Sequence, residues 1–518
     1  MNPRAKKICL LLLAAALLFG AGRVQKTLNV DRDRLGLTHT AVLENAPPML
    51  AFTTVALGGF RGLISNFLWI RASDLQQDDK FFEASQLATW ITDLEPHFSQ
   101  VWVYQGWNMA YNISVKFKEN GPGDYTDRWR WVQRGIELMR DEGLKYNPND
   151  VLIFRELAWQ FQHKMGANLD DANTFYKKMW AEAMEPLFGE NGTNYMALVS
   201  PKTEQDRTNA LTLREKYKLD PELIQLVDKK YGPFDWRLPE PHAIYWGEKG
   251  LQQAQLNPGK VKPEDLIQLR RIIYQSIYQA FKHGRIIANR FTHTYSLGPD
   301  LELVGKVNST YELMEAEDAA NSEHIERAQR NFLRDAIYFL YENNRMAEAR
   351  TWFKYLGDKF PDKPIVENDP NSLPKNLSLD EYAVAVVQID IGETSQERVT
   401  SAVQGLIMHS YLALVQDDGA RAENFKRLAQ AVYRRYTQET ASSKGSTRIP
   451  LPPYDELNKT VVYDLLDVQR GMPYEARAVL RTQLGLPAET AAPAATNAVP
   501  EEVPNSPAPT NAPAPAQP

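Results

Sequence analysis

The side chains best suited to chemistry stand close together in Pro233 to Trp246, PFDWRLPEPHAIYW. There Arg237, Glu240, His242 and Trp246 form the densest polar and aromatic cluster outside the repetitive parts of the chain. Side chains of these types could form a site, although a histidine at a helix start has a hydrogen-bonding role that needs no catalysis. Prolines at 239 and 241 would hold the segment rigid. The sequence predicts an aromatic loop, with His242 at a helix start. A plug capping the inner face of a helical array explains these residues as well as a secondary site does.

No other catalytic pattern accompanies the cluster. The chain lacks a Gly-x-Ser-x-Gly elbow, a phosphate-binding loop, a dinucleotide fingerprint and a His-Glu-x-x-His zinc motif. Gly305-Lys306 lacks the spaced glycine a phosphate loop needs. The eight histidines are scattered, His283 and His293 being the closest pair. Asp170-Asp171 and Asp417-Asp418 read as solvated or capping carboxylates. The single cysteine, Cys9, excludes a disulfide framework and a cysteine zinc cluster. The sequence therefore predicts no catalytic residue, no metal and no cofactor. With 59 basic against 65 acidic residues, a net charge of −6 argues against nucleic acid as a partner. A mean hydropathy of −0.45 excludes a multi-pass membrane protein.

The elements that must position any site are helices arranged as an internal repeat. In Ser65 to Phe98, Leu68, Ala72, Leu75, Phe81, Ala84 and Pro96 fall at positions 4, 8, 11, 17, 20 and 32 of a two-helix unit. Small residues at 8 and 20 let the two helices approach, and the proline ends the second. A second unit starts at Ser99 with Trp102 and Gly106 at positions 4 and 8. Its second helix is delayed by a polar loop, Lys116 to Thr126, and resumes with Gly135 at the small position and Pro148 closing. A third runs from Val151, with Phe154, Leu157, Ala158 and Phe161, then Ala172, Tyr176 and Met179 after a two-residue insertion. A later unit places Leu333, Leu340, Met346, Ala349, Phe353 and Pro361 in the same register.

This pattern resembles the tetratricopeptide repeat family over Ser65 to about Met184 and about His324 to Pro361. More loosely, the layout is similar to that of uncharacterised, membrane-anchored bacterial envelope proteins with diverged repeats. The resemblance implies an all-α, right-handed solenoid whose concave groove is lined by positions 2, 5, 9, 12 and 13 of each first helix. Carried over, these positions give a partner-binding set of Trp69, Gln76, Trp107, Tyr111, Arg155, Trp159 and His163, with Trp107 and Trp159 both at position 9. Trp102 falls at a core position. Tryptophan, tyrosine, arginine and amides suit a peptide, and they would also suit a sugar ring.

The remaining chain completes the layout. Arg4, Lys6 and Lys7 precede the apolar run Ile8 to Gly22, so residues 1–30 read as a signal peptide or membrane anchor. Residues 31–64 read as a membrane-proximal segment. Repeats fill 65–185, an irregular helical insert 186–300, a further repeat 301–365 and a C-terminal helical region 366–486. No convincing strand alternation is present. From Pro487 to Pro518 the chain is Ala, Pro, Thr and Asn with a few Glu and no Lys or Arg, the composition of a disordered tail. These features together predict a non-enzymatic, protein-binding scaffold of the bacterial cell envelope. A glycan-binding envelope protein and a glycoside hydrolase on a helical toroid are the alternatives. The bulk of the chain is expected outside the inner membrane, anchored there or secreted after cleavage. A periplasm-specific phosphatase fused after Pro487 should then be active and a cytoplasm-specific reporter at the same point silent; the opposite pair would reverse the topology.

Overall fold

In a computed structural model, the structure describes residues 3–34, 60–257, 261–288, 295–317, 319, 322–366, 369–391, 396–442, 451–469 and 471–488. Most of the 31–64 segment and nearly all of the Ala/Pro tail lie outside them, as do the side chains of Lys6, Lys7 and Cys9. The chain is all-α, as its periodicity predicts. It divides into one compact unit of Met1–Gln160 with Gln253–Val261, and another of Phe161–Gln252 with Lys262–Pro518. The division falls inside the helical stretch that begins at Val151, within the block the sequence groups as 65–185. A helix covers Pro3–Arg34. Among the described residues no helix is long and apolar enough to cross a membrane.

The first unit is built from helices that bury a narrow apolar face. In Phe81–Leu94, Ala84, Ala88 and Ile91 lie four and three residues apart and are wholly buried, so they form one stripe. Helix Phe60–Gln77 packs along it, burying Ala72 and Leu75. Ser99–Trp107 comes next and touches both Phe81–Leu94 and Val151–Trp159. Its Gly106 faces Gly135 of Thr126–Glu137. A Cβ at Gly135 would stand 2.6 Å from the Gly106 carbonyl oxygen, so the two helices cross backbone against backbone.

Three helix pairs share one turn. They are Phe60–Gln77 with Phe81–Leu94, Ser322–Glu342 with Met346–Lys359, and Gln396–Val415 with Gly419–Ser442. Each first helix ends on a left-handed residue: Asp79 (φ 60°), Asn344 (φ 59°) or Asp417 (φ 66°). Asp and Asn are among the few side chains that accept this conformation. The N–H of that residue donates three residues back, and the next N–H donates five back. The bonds are Asp79 to Gln76 (3.1 Å) and Lys80 to Leu75 (2.8 Å), Asn344 to Tyr341 (3.0 Å) and Arg345 to Leu340 (2.8 Å), and Asp417 to Leu414 (3.1 Å) and Asp418 to Ala413 (3.0 Å). This double closure satisfies carbonyls a helix end leaves free. Five residues beyond each left-handed residue stands a buried alanine, Ala84, Ala349 or Ala422. The third pair carries the same turn although its sequence shows only long helices.

Three consecutive helical stretches each contain a π turn, at Asn108–Ile113, Leu138–Gly143 and Gln160–Gly166. A π turn accommodates one extra residue and rotates the face presented downstream. It is the physical form of the extra residues that break the repeat's phase in the sequence.

The second unit corrects two readings. Pro233 to Trp246 is not a loop throughout: a helix spans Pro239–Leu256, and its first two turns are almost wholly buried. Proline suits a helix's first turn because no intrahelical acceptor awaits its missing N–H there. The expectation of no strands also fails. Arg285–Ala288 and Tyr295–Gly298 pair antiparallel, with Arg285 opposite Gly298 and Ala288 opposite Tyr295. Four-residue strands are too short to print a period-two pattern. Elsewhere Asp220 caps Pro221–Tyr231, and Pro263 opens Pro263–His283, with Leu269, Ile273, Ile277 and Ala280 buried.

If the alanine after each turn sets the distance between its helices, Ala84→Leu and Ala349→Leu should each cost ~1–3 kcal/mol through overpacking. Thermal unfolding followed by circular dichroism should show a lowered midpoint for both. An unchanged midpoint would place the close contact elsewhere.

Candidate functional site

The groove that the first unit presents lies on its second helices. It encloses about 490 Å³. Phe81–Leu94 contributes Ser85, Gln86, Thr89 and Asp93 to one wall; the stretch from Thr126 to Tyr146 contributes Trp131, Arg134, Glu142 and Tyr146 to the other. Trp102, Gln105 and Met109 form the floor between them. The sequence places these wall residues there because the apolar stripe of each second helix faces inward. Ser85, Thr89 and Asp93, at four-residue spacing, are left on another face.

The floor is rigid. Trp102 is 3% exposed and donates its indole N–H to the Pro96 carbonyl at 2.8 Å, and it stacks on Tyr146 with 6.0 Å between ring centroids. Asn147 donates to the same carbonyl at 2.8 Å. Gln105 donates to the Thr89 hydroxyl at 2.9 Å, while its buried Oε1 has no partner in the structure. Arg134 and Glu142 pair at 3.1 Å across a little over two helical turns, both about half exposed. At one end Trp131 packs edge-on against Phe82, which is 51% exposed, and stacks on Phe117. The arrangement offers flat apolar area, hydroxyls and amides that can exchange hydrogen bonds with a peptide backbone, and charges of both signs at the rim.

The residues predicted for the concave groove lie elsewhere, and none lines this one. Trp69 is half-buried, packed edge-on against Tyr104 at 4.9 Å and against Phe98 at 6.2 Å. Gln76 is half-buried near the end of the same helix. Trp107 and Tyr111 are half-buried and stack on each other at 5.7 Å, the second inside a π turn. Arg155, Trp159 and His163 are half-buried and each has an interaction partner. His163 belongs to the second unit. Burial and the adjacent Lys164 hold its imidazole below the usual range. Trp102, read as core, is core and also the groove floor. The signal that would have found the groove is the polar stripe on Phe81–Leu94 and the aromatic and arginine residues of Thr126–Glu137.

The secondary set does not converge on one point. Arg237 is held by Asp235, with 2.9 Å and 2.6 Å hydrogen bonds to its two carboxylate oxygens, and lies 3.8 Å from Glu185. Trp246 is buried edge-on against Tyr245, with the Lys249 ammonium 5.4 Å from its ring centroid. His242 is wholly buried among Phe161, Trp180, Phe188 and Trp236, with its Nε2 2.9 Å from the Trp236 carbonyl. Burial lowers its pKa to about 4, so it is neutral and unsuited to donating a proton near neutrality. Glu240 is 1% exposed, with neither carboxylate oxygen hydrogen-bonded. Burial raises its pKa against the pull of Lys177, itself buried and lowered by desolvation. Lys177 donates to Asn168 at 2.8 Å. A Cβ at Gly166 would stand 3.4 Å from Glu240 Oε1 and 3.3 Å from Gln279 Oε1, so a glycine there leaves room for both oxygens. The four residues have separate surroundings: Arg237 is in an ion-pair cluster, Trp246 and His242 are in aromatic packing, and Glu240 is in a buried polar cluster with Lys177.

Comparison with protein-family models, with curated proteins and with solved structures gives no match.

On the helix that carries Arg155 and Trp159, Glu156 is 8% exposed and has one unpartnered oxygen. Burial raises its pKa to about 7 against the pull of Arg155. A raised folded pKa contributes stability that is full below the ordinary carboxylate range and is lost as pH rises toward 7. Glu156→Gln should therefore gain ~2–3 kcal/mol over the parent chain at pH 8 relative to pH 4. Urea denaturation at both pH values checks this; equal differences at the two would mean that folding does not raise the Glu156 pKa.

Proposed function

We propose that this protein is a non-enzymatic scaffold that binds an extended peptide, or an exposed segment of a partner protein, in the groove between Ser85–Asp93 and Trp131–Tyr146. The observation that carries the reading is the groove itself: a floor fixed by Trp102 and Gln105, and walls that alternate aromatic, hydroxyl, amide and charged groups. Aromatic anchors with convergent amides are the usual means of gripping a peptide. The three hairpins closed by the same turn, with alanine at the same distance beyond it, support a tetratricopeptide-like, right-handed solenoid as the framework. The lysine pair and apolar run at the N-terminus support attachment to, or export across, a bacterial inner membrane, with the bulk of the chain on the outer side.

Replacing Trp131 by Ala removes a half-buried aromatic anchor from the groove wall and leaves the floor residues in place. In pull-downs from detergent-solubilised membranes, Trp131→Ala should reduce capture of the specific partner at least tenfold, equivalent to ~1.4 kcal/mol or more. Trp107→Ala, away from the groove, should retain it. Retention by Trp131→Ala with loss in Trp107→Ala would move the binding face to the first helices of the repeats.

A further inference from the structure

A second groove, in the second unit, lies against the end of the described chain. Helix Tyr454–Leu466 buries Leu457, Val461 and Leu465 on one face. Its Lys459, Val462, Tyr463 and Leu466 recur at spacings of three, one and three residues, which makes a second face. That face is open: Tyr463 is 73% exposed. Val468, Leu484 and Leu486 complete a mainly apolar groove of about 670 Å³, and Tyr411 lines it from another helix, its hydroxyl donating to Asn458 at 2.9 Å. A helix apolar on two opposite faces needs a partner on each.

We propose that this groove is the docking site of the chain's own C-terminal segment, with the stretch Val499-Pro-Glu-Glu-Val-Pro504 seated on Tyr463 and Tyr411. Three observations select this occupant. The chain leaves the described structure at the groove rim, where Leu486 lines the groove and the Pro487 carbonyl accepts a 2.8 Å hydrogen bond from Arg481 Nε. The 32 residues from Pro487 to Pro518 hold nine prolines, and proline-rich segments adopt the extended helix that tyrosine-lined apolar grooves accept at low entropic cost. The charges also match. The segment carries Glu489, Glu501 and Glu502 and no basic residue, while Lys459 and Arg481 stand on the groove, with Asp467 the acidic residue among its lining. The twelve steps from Pro487 to Val499 reach ~37 Å in that conformation, against ~20 Å for the length of helix Tyr454–Leu466, so the segment can turn back over the groove. The inference is independent of the peptide groove in the first unit.

The test uses the full chain with Tyr463 replaced by a photo-crosslinking phenylalanine analogue. Irradiation at low micromolar concentration should give an intramolecular cross-link that maps by mass spectrometry to residues 495–508, with a yield that does not change on dilution. Lys459→Glu in the same background should lower that yield at least fivefold while leaving the thermal midpoint unchanged. A cross-link between two chains that fades on dilution would overturn the proposal in favour of exchange between copies. A folded protein with no cross-link into residues 489–518 would overturn it outright.

Discussion

The architecture depends on how closely two helices can be brought after a turn of three residues. The left-handed residue at Asp79, Asn344 or Asp417 ends the first helix with its last carbonyls satisfied, and it fixes the direction in which the second helix departs. The buried alanine five residues on then sets the distance at which the second helix lies. Neither device works alone. A closed turn before a large residue would splay the pair, and a small residue after an open turn would have no defined neighbour. Because the same combination recurs in both compact units, the local rule that builds Phe60–Leu94 also builds Gln396–Ser442, where the sequence has lost most other marks of the repeat. The groove of the first unit is a product of this rule, since helices spaced by alanine and glycine leave their longer side chains to form walls.

Charge is treated differently in the two units. In the first, Arg134 and Glu142 at the groove are about half exposed and screened by solvent, so their pair contributes little to stability. In the second, Lys177 and Glu240 are enclosed, and each is pushed toward its neutral form by burial while the other pulls it back. Buried pairs of this kind cost about as much desolvation as they return in attraction. They favour one packing arrangement over others more than they add stability. His242, held neutral in an aromatic enclosure, belongs to the same interior and makes it a core.

The helical class, the positions of most helices and the buried alanines and glycines were legible in the sequence, because they rest on periodicity and on the absence of a side chain. Gly106 and Gly135 fall at their expected small positions and meet backbone to backbone. The groove of the first unit was not legible, because its walls come from second helices, which the carried-over first-helix positions do not include; of those positions Ala110 and Tyr111 fall inside a π turn, Ala110 buried and Tyr111 half-buried. The cluster at Arg237 to Trp246 was misleading for a different reason. Spacing along a helix says which side chains are neighbours, and these point to separate neighbours: Arg237 to Asp235, Glu240 toward Lys177, and His242 to the Trp236 carbonyl.

The π turns carry a consequence for how such a chain can change over evolutionary time. A helix that already holds one surplus residue can lose it and close up as a regular α-helix, with both ends still anchored and no loop to rebuild. Single-residue deletions within Asn108–Ile113, Leu138–Gly143 or Gln160–Gly166 are therefore among the few length changes that a packed helix can absorb, and each would turn the side chains beyond it by about 100°. One such step exchanges the residues facing solvent for a different set from the same stretch of sequence. The molecule thus holds three places where a new surface can arise without any new residue being written.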